Sequence, residues 1–234
     1  MYISYAISKG CLSGKTPTNN TKPNLRTLAK ANGASNNNGS SGYDMTAHFQ
    51  ITYWQCMYVL KYKNLDSQAT VGRGYGTETA KTTGTLNTSG MTWGNTSDKG
   101  YHVKLFGIED AWFGGWWWFE GCYSDDNHHL RVTTDNFDNE SNYIDVGLIF
   151  ASDETSWCWV AKVMGTTLGG FNICGRSEGS GTTYYCDCAD TFAGKSMAMG
   201  STTYSNANNE AGIFARDNRQ SASETYPYAR LMFL

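Results

Sequence analysis

Carboxylates and histidines are the residues of this chain that could carry acid–base chemistry, and neither class is arranged for it. Of the 21 Asp and Glu residues, six are neighbours in sequence, at positions 109–110, 125–126 and 153–154. Adjacent side chains on a strand project to opposite faces, so such neighbours make poor acid–base pairs. We expect Glu109 to brace a turn instead. The histidines lack a nucleophile setting such as G-x-S-x-G, and His128 and His129 follow a polar run that predicts an exposed loop. The sequence therefore predicts a protein that is not an enzyme.

Seven cysteines are present, at irregular spacing. An odd number makes a poor disulfide framework for a secreted protein, so we expect free, mostly buried thiols that pack as small hydrophobic groups. Cys186 and Cys188 could act as two metal ligands, with His128 and His129 as further ones. The pattern lacks the C-x-x-C or H-x-x-x-H spacing that such a site needs. The prediction is that the protein holds neither a metal ion nor a cofactor.

The composition of the chain disfavours several classes of partner. Its formal net charge is -3 and its Lys and Arg residues form no phosphate-binding stripe, which argues against nucleic acid. No run approaches the ~20 apolar residues of a membrane-spanning helix. The first residues lack the regions of a signal peptide, which fits a protein assembled inside a cell or a fragment of a longer chain. The many Tyr and Trp residues, together with Asn, Ser and Gly, are typical of evolved binding surfaces.

The densest aromatic segment spans residues 107–121 and reads GIEDAWFGGWWWFEG. On a strand, Trp116 and Trp118 project to one face and Trp117 to the other. The segment is then either a core of stacked indole rings or an aromatic platform for a ligand such as a sugar. Both interpretations are compatible with the composition alone.

Two helices are predicted in the first half of the chain. Residues 23–30 form a short helix, with a proline near its start and Asn32-Gly33 as a stop signal. Residues 44–63 form a long amphipathic helix, because apolar residues recur at spacings of three and four. Asp44 is its expected N-cap, and additional aromatic side chains such as Tyr53 indicate that both sides of this helix are covered. The glycine-rich run 72–76 predicts a backbone turn, since no helix follows it as a phosphate loop requires.

The rest of the chain is predicted to be rich in β-structure. Short apolar or alternating runs predict strands at residues 1–8, 103–106, 143–150, 157–161, 182–186, 212–215 and 228–234. A chain that ends on an apolar strand implies that this terminus pairs into a sheet.

The segment 107–121 resembles a pattern of phage tail proteins and retroelement-diversified proteins, G-I-E-N-x-W-G-N-x-W-x-W-x-D-G. That pattern is related to a run in formylglycine-generating enzymes. The matching residues are Gly107, Ile108, Glu109, Trp112, Trp116, Trp118 and Gly121. Asp110 and Glu120 are near matches, whereas Phe113-Gly114 replaces the G-N pair and Trp117 replaces a glutamate. Collinear segments at 65–74, 183–187, 199–201, 210–214 and 229–232 extend the resemblance over roughly residues 23–234.

The resemblance implies an α+β fold of the C-type-lectin-like kind. One long amphipathic helix and a short one would pack on a mostly antiparallel, loop-rich sheet. The C-type-lectin-like domain would span residues 23–234, after an N-terminal strand or arm at 1–22. Its structural core would include Trp112, Trp116, Trp118, Tyr185 and Asp187.

The same resemblance implies ligand recognition by the late strands and loops, as in phage-tail receptor-binding tips and retroelement-diversified variable proteins. The ligand would be a protein or glycan of a bacterial cell surface. The expected location is the virion, or the host cytoplasm before assembly. The bacterial cell surface is a less favoured alternative. Other virion proteins, and further copies of the chain in a trimer, would be additional partners. The expected contact residues are Tyr204, Asn206, Asn208, Asn209, Asp217, Asn218 and Arg219, with Trp117 as a further candidate.

Two alternatives of other classes stay open. The first is a structural virion protein without a variable binding surface. The second is an enzyme of the formylglycine-generating type, or one that acts on glycans, although the reactive cysteine pair of the former cannot be mapped onto this chain. Sugar-binding C-type lectins hold calcium with an E-P-N or Q-P-D tripeptide, which this sequence lacks, so calcium-dependent sugar binding is disfavoured.

Overall fold

A computed structural model describes residues 3–4, 9–10, 14, 20–34, 43–74, 82–97, 101–112, 117–149, 158–160, 162–165, 168, 172–175, 187–191, 195–199, 212–219, 228–229 and 231–233. Within these ranges the protein is mixed α/β, with few helices and mainly antiparallel strands. The described helices are α1 (Lys22–Ala34), α2 (His48–Tyr62) and α3 (Ser67–Thr70), and a 3-10 turn spans Glu140–Asn142. None of these helices is long and apolar enough to cross a membrane.

The described strands are short except in the middle of the chain. In order they are β1 (Ile3–Ser4), β2 (Lys9–Gly10), β3 (Tyr43–Met45), β4 (Lys104–Leu105), β5 (Ile108–Glu109), β6 (Trp117–Ser124), β7 (His129–Val132), β8 (Ile144–Ile149), β9 (Cys158–Trp159), β10 (Lys162–Met164), β11 (Asn172–Gly175), β12 (Cys188–Thr191), β13 (Lys195–Met199), β14 (Arg216–Arg219), β15 (Tyr228–Ala229) and β16 (Leu231–Phe233).

The main sheet has the strand order β8-β7-β6-β13-β14-β12-β9, and β15 pairs with β6 beside this path. Two of its pairings are parallel, β12 with β14 and β15 with β6, and the others are antiparallel. The remaining described strands form two-stranded pairs: β1 with β2, β3 with β16, β4 with β5 and β10 with β11. Among the described strands, β6 is the longest, and it joins both halves of the main sheet.

Strand β6 lies between the two longer helices, because its alternating side chains bury opposite faces. Trp117 and Phe119 pack in one apolar cluster with Ile51 of α2. Trp118 packs in a second cluster with Leu25 of α1. All of these side chains are fully buried, and each fully buried large side chain contributes on the order of 2 kcal/mol. The period of two along β6 therefore assigns one face of the strand to each helix.

Helix α1 extends beyond its predicted end at residue 30 and continues to Ala34, through the expected stop at Asn32-Gly33. Its buried positions Leu25 and Ala29 pack with Met45 of β3 and Trp118 of β6. Tertiary contacts of this kind outweigh the penalty of about 1 kcal/mol that one glycine imposes on a helix. The local stop signal was therefore not decisive.

The prediction that Asp44 caps helix α2 is wrong. The helix begins at His48, with Ala47 as its N-cap, and the side chain of Gln50 accepts the Ala47 N–H at 3.0 Å. Asp44 lies in β3, opposite Met232 of the antiparallel strand β16. Pairing with the last strand of the chain satisfies the extended backbone at 43–45, and the apolar periodicity of the helix could not reveal that partner.

Two strand predictions and one loop prediction need correction or restriction. Residues 212–215 form a turn, and the strand β14 starts only at Arg216. His129 opens strand β7, where its Nδ1 lies 2.6 Å from Asp145 Oδ2, so it is not a loop residue. The predicted strand at 182–186 falls outside the described residues. The terminal prediction is confirmed at β15 and β16, which pair with β6 and β3.

Asp44 is buried, and this burial raises the pKa of its carboxyl from 3.8 to about 6. The hydrogen bond that the carboxyl accepts from the Met45 N–H acts in the other direction and lowers the pKa. A raised pKa means that the folded state binds the proton more tightly than the unfolded state. Asp44 therefore contributes its full share to the free energy of unfolding below about pH 4. This contribution, up to about 3 kcal/mol, is lost as the pH rises through about 6.

We expect wild-type protein to gain more stability than the Asp44→Asn variant when the pH falls from about 7 to about 4. The amide cannot ionise, so the difference between the two proteins isolates the titration of this one group. Urea unfolding of both proteins at each pH measures it. Identical pH dependence in the two proteins would contradict the assignment.

Candidate functional site

The best-defined polar arrangement surrounds Asp187, just before strand β12. Its carboxylate is fully buried, and Oδ2 accepts the backbone N–H of Phe214 at 2.9 Å. Oδ1 accepts a hydrogen bond from Gln68 Nε2 at 3.2 Å. Burial raises the pKa of Asp187 well above its usual range, and these two hydrogen bonds oppose that effect. The carboxyl thus ties helix α3 to the turn 212–215.

Two more side chains hold the same turn. Ser67 Oγ of α3 accepts the N–H of Ile213 at 3.1 Å, and Gln55 Nε2 of α2 donates to the Ile213 carbonyl at 2.9 Å. Together, Gln55, Ser67, Gln68 and Asp187 form a buried set that we call the Asp187 anchor. Its hydrogen bonds replace the ladder bonds that a strand at 212–215 would make, which explains why this apolar run is a turn.

Gly212 is required where the anchor meets the turn. A Cβ atom placed on it would lie 2.2 Å from Asp187 Oδ1 and 2.3 Å from Ser67 Oγ. Both distances are far below van der Waals contact, so no larger residue fits without moving the anchor. The glycine therefore allows the backbone to approach the buried carboxylate closely.

Arg216 continues the buried arrangement into strand β14. Its guanidinium lies over the Phe119 ring, 5.5 Å from the centroid, and Nη1 donates to the Ala215 carbonyl at 2.7 Å. Burial lowers the pKa of Arg216 to about 10, and the nearby Cys122 and Asp187 oppose that effect. The side chain fastens the first residue of β14 to the core face of the sheet.

Strand β14 carries three of the predicted contact residues and lies inside the main sheet. Asp217 pairs with Ala198 of β13 and with Asp190 of β12, and Asn218 and Arg219 follow it along the strand. These residues were expected on a loop surface, whereas their backbone belongs to a strand with neighbours on both sides. They follow Arg216, directly after the turn 212–215 that the Asp187 anchor holds.

The other predicted site residues are distributed as follows. Tyr204, Asn206, Asn208, Asn209, Trp116 and Tyr185 lie outside the described residues. Trp112 and Trp118 are fully buried, and Trp112 Nε1 donates to the Gly72 carbonyl at 3.0 Å. Trp117, expected as an additional ligand contact, is also fully buried and packs with Trp54 and Phe119. The expectation for Trp117 is corrected, because a core indole in this position cannot reach a ligand at the surface.

The residues first considered for chemistry have structural partners. Glu109 accepts the backbone N–H groups of Gly84 and Leu86 at 2.7 and 2.6 Å, so it braces a turn as the sequence indicates. His102 Nδ1 lies 2.7 Å from Asp110 Oδ1, and Asp125 accepts from Arg131 Nε at 2.7 Å. Within the described ranges, no group of three or more His, Cys, Asp or Glu residues could hold a metal ion.

Two of the cysteines can be assessed, and both carry free thiols. Cys122 is buried, and burial raises the pKa of its thiol to about 12. A thiol with so high a pKa is not ionised near neutral pH and is therefore a poor nucleophile. Cys56, on α2, is partly exposed.

The members of the anchor other than Asp187 were not predicted as site residues. Ser67 and Gln68 do belong to the segment 65–74, which carried part of the family resemblance. The available signal for Gln55 was its place four residues after the buried Ile51, on the apolar side of α2. A polar residue at such a position must find a buried hydrogen-bond partner, but the sequence does not say which.

Searches against protein-family models, curated proteins and solved structures find no match to this chain. The elements and their pairing define the class of the fold: mixed α/β, with few helices and mostly antiparallel sheet.

Proposed function

We propose that this protein is a non-enzymatic ligand-recognition protein of C-type-lectin-like fold, of the phage-tail or retroelement-diversified variable type. Its ligand would be a protein or glycan on a bacterial cell surface, and it would act as part of a virion. The observation that carries the proposal is the Asp187 anchor. It fixes the start of β14 through Asp187, Ser67 and Gln55, all of which lie outside the proposed contact residues 217–219.

Such an arrangement suits a recognition surface. The anchor bonds the backbone of turn 212–215, so its hold on the strand does not depend on the side chains of Asp217, Asn218 and Arg219. Those side chains can then change while the supporting structure is retained, which a binding surface of variable specificity needs. The proposed contact residues at 204–209 precede this turn in the sequence.

The architecture supports the fold part of the proposal. A long helix, α2, and a shorter one, α1, pack on opposite faces of β6 in a mostly antiparallel sheet. That combination agrees with what the sequence resemblance implies. A non-enzymatic role is supported by the carboxylates of Glu109 and Asp187. Glu109 accepts two backbone N–H groups, and Asp187 accepts the Phe214 N–H and the Gln68 amide, so both hold structure in place.

The test is binding of purified protein to an array of bacterial cells and surface glycans. The contact variant combines Asp217→Ala, Asn218→Ala and Arg219→Ala. We expect it to bind at least roughly tenfold more weakly than wild type, because the loss of a single hot-spot contact at the centre of an interface costs about 2 kcal/mol or more. Its unfolding transition should stay close to that of wild type.

A matched control replaces three exposed polar residues elsewhere, Asn24→Ala, Thr27→Ala and Asn127→Ala. This control should bind as wild type does. Equal loss of binding in both variants, or wild-type protein that binds nothing on the array, would overturn the proposal.

A structural role in a virion is the second candidate function. It is favoured by helix α2, whose outer side exposes large apolar side chains that suit contact with another protein. A variant altered only on that side should lose assembly and keep ligand binding if both functions coexist.

A further inference from the structure

Helix α2 is apolar on the side that faces away from the core as well as on the side that faces it. His48, Ile51, Gln55 and Tyr58 form its buried side. On the opposite side, Phe49, Tyr53, Met57 and Leu60 are 36%, 63%, 36% and 73% exposed. The sequence predicted that both sides of this helix are buried. Among the described residues, only the inner side is buried against the core.

Three of these exposed residues, together with the partly exposed Cys56, follow the spacing of a helix-pairing seam. Phe49, Tyr53, Cys56 and Leu60 are separated by four, three and four residues, which is the alternation that places side chains along one line in paired helices. Met57 lies beside this line. Residues 49–60 contain no Asp, Glu, Lys or Arg, so the seam is uninterrupted by charge. We call these five residues the α2 seam.

The α2 seam is large enough to matter for association. Aromatic side chains offer about 150–250 Å² each, so the exposed fractions add to an area on the order of 400 Å². A standard interface buries roughly 800 Å² per partner. The seam therefore supplies about half of one partner's share. Exposed apolar surface next to the carboxyl end of α2 adds to it, since Lys61 Nζ donates to Thr92 Oγ1 at 3.3 Å and the neighbouring Met91 is exposed.

We infer that the α2 seam pairs with the α2 seam of a second copy of this chain, with the two helices antiparallel. A second copy supplies a helix with the same apolar line, and a two-fold axis makes such a surface self-complementary. Lys61 and Lys63 are exposed at the carboxyl end of α2. Parallel helices would bring these four cations of the dimer together, whereas antiparallel helices separate them and align the helix dipoles favourably.

The antiparallel register makes a specific prediction about neighbours. The midpoint of the seam lies between Tyr53 and Cys56, so Phe49 of one copy faces Leu60 of the other. Tyr53 then faces Cys56 of the second copy. In a parallel pair, Cys56 would face its own counterpart instead.

The first experiment measures mass in solution by sedimentation equilibrium for wild type, Leu60→Glu and Thr27→Glu. Leu60 and Thr27 are both exposed on helices, so each variant adds one negative charge without entering the core. We expect a concentration-dependent dimer for wild type and Thr27→Glu, and at least a roughly tenfold weaker dimer for Leu60→Glu. A monomeric wild type, or a dimer that Leu60→Glu leaves intact, overturns the inference.

The second experiment tests the register by oxidative cross-linking of Tyr53→Cys, with peptide mapping by mass spectrometry. The expected product is an intermolecular disulfide between the new thiol at position 53 and Cys56 of the other copy. Cross-linking of wild-type protein through two Cys56 residues contradicts the antiparallel pairing. Because neither experiment involves the proposed contact residues, failure here is distinguishable from failure of the ligand-recognition proposal.

Discussion

Replacing Glu120 with alanine is expected to lower the free energy of unfolding by about 3–5 kcal/mol, the usual result of breaking a buried ion pair. The carboxylate is fully buried in β6 and accepts two hydrogen bonds from Arg26, at 2.6 and 2.9 Å. Lys22 Nζ lies 3.3 Å away. Removal of the Glu120 carboxylate leaves the positive charges of Lys22 and Arg26 less compensated, in a place from which water is largely excluded. Urea unfolding measures the loss of stability.

A matched control uses the exposed partner of the same arginine. Asp138 Oδ1 lies 3.0 Å from Arg26 Nε, but its side chain is largely exposed. We expect Asp138→Ala to cost about 1 kcal/mol or less, because solvent screens exposed pairs. Replacing Lys22, Arg26 and Glu120 together with apolar residues should recover much of the loss, since it removes the uncompensated charge. Similar losses for Glu120→Ala and Asp138→Ala would show that burial is not the cause.

Replacing Asp187 with alanine is expected to cost about 3 kcal/mol, because it leaves the buried Phe214 N–H and the Gln68 amide without their acceptor. Gly212→Ala should cost about 1–3 kcal/mol by overpacking, since its new Cβ would press on Asp187 and Ser67. Equilibrium unfolding of each variant measures these losses.

The two changes should not be additive. Once the Asp187 carboxylate is gone, the methyl group at position 212 has lost its closest obstacle, so the double variant should be more stable than the sum predicts. The exposed residue Asp126 offers a control: Asp126→Ala should change stability by no more than about 0.5 kcal/mol. Strict additivity would mean that Gly212 and Asp187 do not share a contact.

The elements that follow a local period were predicted closely. Apolar spacings of three and four located α2 to within a few residues, and the alternation of β6 placed Trp117 and Trp118 on opposite faces. Errors occurred where a distant partner decides the structure. Asp44 belongs to a strand because β16 pairs with it from the other end of the chain. His129 belongs to a strand because β6 and β8 flank β7.

The candidate site was predictable in part. The resemblance placed Asp187 in the structural core and included Gly212 in a matching segment, and the structure brings Asp187 and Gly212 together. The roles of Gln55 and Ser67 could not be inferred, because a polar residue in an apolar pattern does not name its hydrogen-bond partner. Nor could the pattern show that 212–215 would be held as a turn by side chains from two helices.

By itself, the sequence determined the apolar period of α2 and the alternation of β6, which places Trp117 and Trp118 on opposite faces. Such patterns depend only on the angle between successive side chains, which is a local property of helix and strand. Only the tertiary structure decided what covers each apolar side and which donor meets each buried acceptor. Those choices join residues far apart in the chain, and they depend on distances that no local pattern contains. The outer side of α2 shows the difference. The sequence alone shows that its residues are apolar, whereas their exposure depends on where the sheet and α1 lie.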